Sequence, residues 1–420
     1  MRALLAFRQR PLAAITALAV FVAMAGAACG LDSGGLLANS GTVPESSNAG
    51  GGGGGGGGDT GGMGGMDGSG GMVSTSSSGG GGGAGGQGGE GPVSPYLYRR
   101  PITITAGDAP IPPDYSVAIQ LDHSSLVLND KSLPNGNDVR VFRTNGSSYE
   151  EIHRVLDPTS TWNSGATILW FRLKADIPAA TTDSSYFIYY GDPDAPKPPD
   201  DGAQVYLVWD DFTGPSLDPA WTFEPIGSAK GVATQTSGVV AITASTGDIW
   251  SSQDNFVFLH RPVSGDFVAD TLVTAVGGTT DEWGKLGGVM IRENNSAGSR
   301  NRLMSPVFSA KARTNSYRLK DGNNTSENTV NGTLKLPELD RVTRMGNKSN
   351  AYWSTDLQVF EKLGNEITFG TALSPSVLVG IPVCNIHGSD VTVSVDWFRV
   401  RRLVNPEPTV ALLPEEEGTF

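Results

Sequence analysis

One stretch limits what this chain can fold into more than any other. Between Gly30 and Ser94 lie 30 of its 57 glycines, including the unbroken run Gly51–Gly58. Such a segment cannot bury enough apolar surface to offset the entropy lost on ordering, so it is expected to be a disordered tether. As a flexible coil its ~65 residues would span on the order of 45 Å. It is not a phosphate loop, because no strand precedes the run and no Gly-Lys-Ser/Thr closes it. The chain of 420 residues therefore divides into a front segment, a spacer and a folded remainder. That remainder is roughly 310 residues, enough for two domains of ~100–200 residues, each with its own core.

The front segment reads as an export signal. Arg2, Arg8 and Arg10 precede an apolar run from Leu12 to Ala25, shorter than the ~20 residues of a transmembrane helix. Gly26, Ala27 and Ala28 then lead into Cys29. This order resembles the bacterial lipoprotein box, with Gly26 where that family usually has Leu. The resemblance implies cleavage before Cys29, a lipid on its thiol, and anchoring at the outer membrane or cell surface. An ordinary signal peptide cut near Ala28 and a retained membrane anchor are the alternatives.

Losing the three arginines moves the formal charge from −13 to −16. That balance disfavours nucleic acid as a partner and suits an acidic extracellular surface that can hold divalent cations. With Cys29 modified, Cys384 has no partner, so no disulfide framework supports the fold. Cys384 closes the apolar run Val377–Val383 and is expected in the core.

From about residue 95 the pattern changes to short segments of period-two alternation separated by turns. In 95–205 these are Pro101–Thr105, Tyr115–Leu121, Asp138–Arg143, Thr167–Leu173 and Ser185–Tyr190, with Asn145-Gly146 marking a hairpin. No stretch shows sustained helical periodicity. The expected fold class is all-β: two jelly-roll-like β-sandwiches, 95–205 and 206–403, after the tether at 29–94. The Pro- and Glu-rich tail, 404–420, is expected to fray. Val391, Val393, Val395, Trp397 and Arg399 are expected on one face of the last long strand. Thr392, Ser394 and Asp396 are expected on the other.

Two resemblances follow from these segments. Tyr98–Ile104, Asn137–Phe142, Ile168–Leu173 and the closing Tyr186–Pro193 resemble the surface domain known as domain of unknown function 2341. That resemblance implies surface exposure and no defined chemistry. Trp209–Phe212, Leu217–Trp221, Gly287–Glu293, Ala351–Asp356 and Val379–Val383 resemble the concanavalin-A-like jelly rolls of lectins, laminin-G-like modules and some glucanases. That resemblance implies a fold and leaves the ligand open.

Chemistry is sparse. Retaining glucanases need two carboxylates ~5–5.5 Å apart, and no Glu-x-Asp-x-x-Glu pattern occurs. Asp281 and Glu282 are adjacent, so a strand would point them to opposite faces, and Glu293 stands alone. His123, His153, His260 and His387 are scattered, without zinc or protease spacing. Asp210, Asp211 and Asp396 are a candidate structural calcium site if the terminal strands meet. Trp283, Trp250, Trp353 and Tyr317, with Tyr352, are candidates for stacking on a sugar ring. Asn294, Asn295, Arg300 and Arg302 are candidates to bind its hydroxyls. Core packing is the competing reading for each aromatic. The function expected is a surface-anchored, non-enzymatic binding module for a glycan or another extracellular ligand. The alternatives are a glycosidase with an unrecognised acid pair and a spacer without its own ligand.

Overall fold

The computed structural model describes residues 95–278, 283–307, 311–386, 389–418 and 420, all within one unit, Leu31–Phe420. Cys29, the tether, Asp281, Glu282 and His387 lie outside the described residues. The described residues are nearly all β, with one short helix, His123–Leu128, and a 3-10 turn, Gly202–Gln204. Among them, no helix is long and apolar enough to cross a membrane.

The first sandwich pairs a six-stranded sheet with a three-stranded one. The larger runs in the order Thr409–Leu412, Tyr98–Thr105, Thr182–Tyr190, Arg140–Thr144, Tyr149–Ile152, with Glu416–Glu417 also on the second of these. The smaller is Ser116–Leu121, Thr167–Arg172, Arg154–Leu156. Alternation decides the core: Val117, Ile119 and Leu121 are buried with Ile102, Ile104, Val141, Phe171 and Ile188, while Gln120 faces solvent. The hairpin at Asn145 forms as its sequence suggests. The Asn145 carboxamide accepts the amides of Ser147 and Ser148, and Gly146 adopts φ 91°.

The tail does not fray. Thr409–Leu412 pairs antiparallel with Ile102–Thr105, and Glu416–Glu417 with Tyr98–Arg99. The apolar side chains of Val410 and Leu412 pack on the first core, and the Tyr190 hydroxyl donates to Glu415 at 2.6 Å. The acids expected to keep this segment in solvent have partners instead. The chain thus leaves the first sandwich, builds the second and returns to complete the first.

The second sandwich joins a nine-stranded and an eight-stranded sheet. The nine-stranded sheet centres on Val391–Arg402, Phe267–Gly278, Glu338–Met345 and Lys348–Ser354. The eight-stranded sheet runs Ser326–Asn331, Lys311–Arg318, Asn301–Pro306, Val289–Arg292, Ser376–Cys384, Phe256–Ser264, Thr222–Ile226. The short strand Lys285–Leu286 lies beside Ser376–Cys384. Their inner faces share a core that includes Val257, Val289, Met304, Val342, Ile381 and Val393.

The expected face of the last strand holds only to Val395. Val391, Val393 and Val395 enter this core, but Trp397 belongs to the opposite face with Leu272, Leu339 and Phe360. The reason is a register shift. Leu272 pairs with Trp397 and Val273 with Val395, which leaves Asp396 as an extra residue. Thr274, extra on the partner strand, donates its hydroxyl to Asp396 at 2.8 Å.

Because of that shift, Arg399 points out of the second sandwich into the first. Its guanidinium meets Asp157 at 2.8 Å and Asp270 at 3.0 Å, and Arg341 holds Asp270 from the other side at 2.6 Å. Trp170 adds an indole N–H to Asp157 at 2.8 Å. Burial pushes Asp270 up, but the two guanidiniums outweigh it and hold its carboxyl at about 2. Beside this ladder, Arg401 meets Glu407 at 2.8 Å, and the Tyr115 hydroxyl donates to Glu407 at 2.7 Å.

Candidate ligand face

The outward face of the nine-stranded sheet is spent on the first sandwich. Among the described residues, the outward face of the eight-stranded sheet carries no other sheet, and its side chains follow from alternation. Leu286 and Met304 enter the core, so Lys285, Ser305 and, by register with Ser305, Thr314 face outward. Ser316 and its partner Glu327 share that face. Part of the face is an apolar cluster of Ile226, Ile249, Phe256, Phe258, Met290, Leu303 and Cys384. Burial pushes the Cys384 thiol up to about 12, so it stays protonated and inert.

The rest is polar. The fully buried Lys285 ammonium lies 3.9 Å from Glu327 and donates to the Trp283 carbonyl at 3.2 Å. Thr314 donates its hydroxyl to Glu327 at 3.4 Å and to the Asn328 carbonyl at 3.2 Å. The Ser316 hydroxyl and one Asp248 oxygen are buried without a hydrogen-bond partner. Burial raises the Asp248 carboxyl, and Lys285 partly offsets that rise. Below them, Asp254 is the hub of the floor. It takes Arg292 at 2.5 Å and Arg318 at 2.6 Å and 2.7 Å, all three groups fully buried. Trp250 stands at the edge with 48% of its surface exposed, its loop tied by the Thr325 amide at 3.0 Å.

The residues singled out from sequence fall into two groups. Trp283 is half-buried and joined to this face through Lys285, and Trp250 is exposed beside it. Asn294 and Asn295 are exposed, but the Asn294 carboxamide caps its own turn through the Ser296 amide at 2.9 Å. The others are structural. Tyr352 and Trp353 do point to opposite faces, yet neither is a free platform. Tyr352 packs against the outer cluster, while Trp353 packs on the inner core with the Arg313 guanidinium 3.5 Å from its ring. Tyr317 packs on the same core under Arg302. Arg300 is a buried strut, bonding Glu293 at 2.7 Å and the Thr371 carbonyl at 2.8 Å.

The calcium set does not assemble. Asp210 accepts the Trp221 indole at 2.7 Å and the Phe212 amide at 2.8 Å. Asp211 caps Thr213, and Asp396 is pinned in the bulge by Thr274. Donors claim both Asp210 oxygens and one oxygen each of Asp211 and Asp396, and among the described residues no group of three or more His, Cys, Asp or Glu is placed to hold a metal.

Sequence reasoning missed Lys285, Glu327 and Asp248. Their one signal was the lone lysine of Gly284-Lys285-Leu286-Gly287. It also missed Glu338 and Asp340, acids alternating along one strand. Those two are fully buried between the sheets, with Glu338 gripped by Arg313 at 2.9 Å, so no polysaccharide reaches them.

The family model for domain of unknown function DUF2341 matches residues 135–224. The match begins after the Tyr98–Ile104 segment and runs past 205 through the strand Val208–Asp210 of the nine-stranded sheet into Thr222–Ile226 of the eight-stranded one. No curated protein matches the chain. Among solved structures, a functionally unknown protein from Saccharomyces cerevisiae is 16% identical, covers 44% of this chain and 98% of its own, and has a TM-score of 0.37. The GH43 protein BlXynB from Bacillus licheniformis is 14% identical with a TM-score of 0.37; 61% of this chain aligns with 47% of that one. LamAcat from Zobellia galactanivorans is 8% identical with a TM-score of 0.33, over 47% of this chain and 97% of its own. The chain thus spans about half the length of BlXynB.

Proposed function

We propose that the chain is an exported, surface-anchored binding module that takes a glycan on the outward face of its eight-stranded sheet, without cleaving it. The observation that carries this reading is Trp250, 48% exposed at the edge of a sheet face on which no second sheet lies among the described residues, beside Glu327, the partly accessible member of a strip whose Lys285, Thr314 and Ser316 are buried. The Glu327 carboxylate can accept from a sugar hydroxyl. An indole supplies the apolar platform. A glycan array followed by calorimetry tests it. Glu327→Gln is expected to weaken binding roughly 10-fold or more, as losing a charge-assisted hydrogen bond does, and Trp250→Ala to weaken it without loss of fold. A wild-type chain that binds no glycan, or two variants that bind as wild type, would sink the proposal.

A hydrolase reading rests on one observation, the buried and raised Asp248 carboxyl near Lys285. Release of reducing sugar that disappears in Asp248→Asn would favour it. Anchoring rests on the small residues before Cys29: Cys29→Ala should leave soluble protein or uncleaved precursor, and unchanged membrane fractionation would remove this part of the reading.

A further inference from the structure

Arg302 lies on the strand Asn301–Pro306, opposite Ile291 and Tyr317, on the face turned into the core between the two sheets. It is 0% exposed, and all three guanidinium nitrogens lack a hydrogen-bond partner. No carboxylate among the described residues lies within ion-pair distance of it. The interior acid Glu338 is held by Arg313, and the electrostatic neighbours of Asp340 are Glu338 and Arg313. Burial lowers the Arg302 guanidinium to about 10, which still leaves it charged at neutral pH. Tyr317, 5.3 Å away, offers its ring face, but a ring quadrupole accepts none of the in-plane N–H donors. An unpaired buried cation costs several kcal/mol, and arginine cannot escape that cost by deprotonating. The facing strand Lys348–Ser354 presents a second orphan donor, the Ser349 hydroxyl, also buried.

We propose that Arg302 holds a small monovalent inorganic anion, of the chloride class, between the two sheets of the second sandwich. The chemistry sets the ligand. Every unmatched nitrogen of Arg302 donates, the charge to be balanced is single, and a fully enclosed position excludes a saccharide. A monovalent halide also sheds its water more cheaply than sulfate or phosphate. This site is separate from the outward ligand face, so its test does not depend on that reading.

The test compares melting temperatures of the full chain as chloride replaces gluconate at constant ionic strength, for wild type and for Arg302→Met, and adds bromide anomalous diffraction on wild-type crystals. The wild type should melt several degrees higher in chloride. The response should vanish in Arg302→Met, and a bromide peak should lie at the Arg302 guanidinium. A wild type indifferent to the anion, or a response kept intact in Arg302→Met, would overturn the proposal. If Arg302→Met does not fold, the bromide map decides alone: a peak at Arg302 upholds the site, and its absence replaces the ion with water.

Discussion

Two of the places where the molecule buries charge are treated differently. Between the sandwiches, Asp157, Arg399, Asp270 and Arg341 form a ladder in which each inner member has partners on both sides. Inside the second sandwich, Glu338 and Asp340 sit as neighbouring acids with Arg313 on Glu338, and Arg302 stands apart without an acid. Desolvation is similar in both, so the difference lies in the supply of partners. At the junction, each body contributes groups the other lacks, and the guanidiniums outweigh burial. Within one sandwich, two facing sheets must supply everything, and burial wins: both acids are pushed up. The paired set fixes architecture, whereas the unpaired set calls for a proton or an ion from outside.

The sharpest way to break this contrast is Arg399→Ala. It strands Asp157 without a cation in a buried setting and leaves Asp270 to Arg341, so stability should fall by about 3–5 kcal/mol in chemical denaturation. A loss below about 1 kcal/mol would show that the ladder is decoration. The pH dependence has a definite sign. Asp270 is held at about 2 against its ordinary value of 3.8, so its contribution is present above 3.8 and lost as pH falls toward 2. Arg399→Ala should shrink that acid limb.

A smaller effect is expected where the returning tail is stitched down. Glu407 accepts from Arg401 at 2.8 Å and 2.9 Å and from the Tyr115 hydroxyl at 2.7 Å. Burial opposes its charge, but Arg401 outweighs burial and holds its carboxyl below the usual range. Glu407→Gln should cost about 1–3 kcal/mol and speed hydrogen exchange along Thr409–Leu412. Unchanged exchange there would mean that strand pairing alone holds the tail.

What the sequence made legible follows the same division. Alternation placed Val117, Ile119 and Leu121 in a core and marked the hairpin at Asn145, because burial on one face and turn chemistry are local signals. The tail was misread because Glu407, Glu415 and Glu416 look like solvated acids until Arg401, Lys131 and Arg99 arrive from nearly 300 residues away or from the neighbouring strand. Trp397 and Arg399 were misplaced because one extra residue, Asp396, reverses the strand face, and a bulge leaves no mark in period-two composition. Of the stacking candidates, Trp250 and Trp283 stand at the outward face, while Trp353 and Tyr317 carry cations inside. Nothing near Trp353 in sequence announces Arg313.

The smallest effect, and the most informative about the interior acids, is expected from Asp340→Asn. Both Asp340 oxygens are buried and receive no hydrogen bond. Burial, then the charge of Glu338, pushes its carboxyl well above the ordinary value of 3.8. A carboxyl raised in the fold keeps its proton while the unfolded chain releases it. Its contribution is therefore whole below 3.8 and declines as pH rises through the folded value. A protonated Asp340 can donate to Glu338, and an asparagine amide can do the same without ever ionising. Asp340→Asn should thus match wild type below pH 3.8 and exceed it at neutral pH by about 0.5–1.5 kcal/mol, the net worth of one hydrogen bond. Melting curves of the two proteins across that range check this. A variant less stable at every pH would show that Asp340 carries a charge some cation needs. Arg302 would then be the first candidate, through bridging water, and the contrast between the junction and the interior would narrow to a difference in how directly the partners touch.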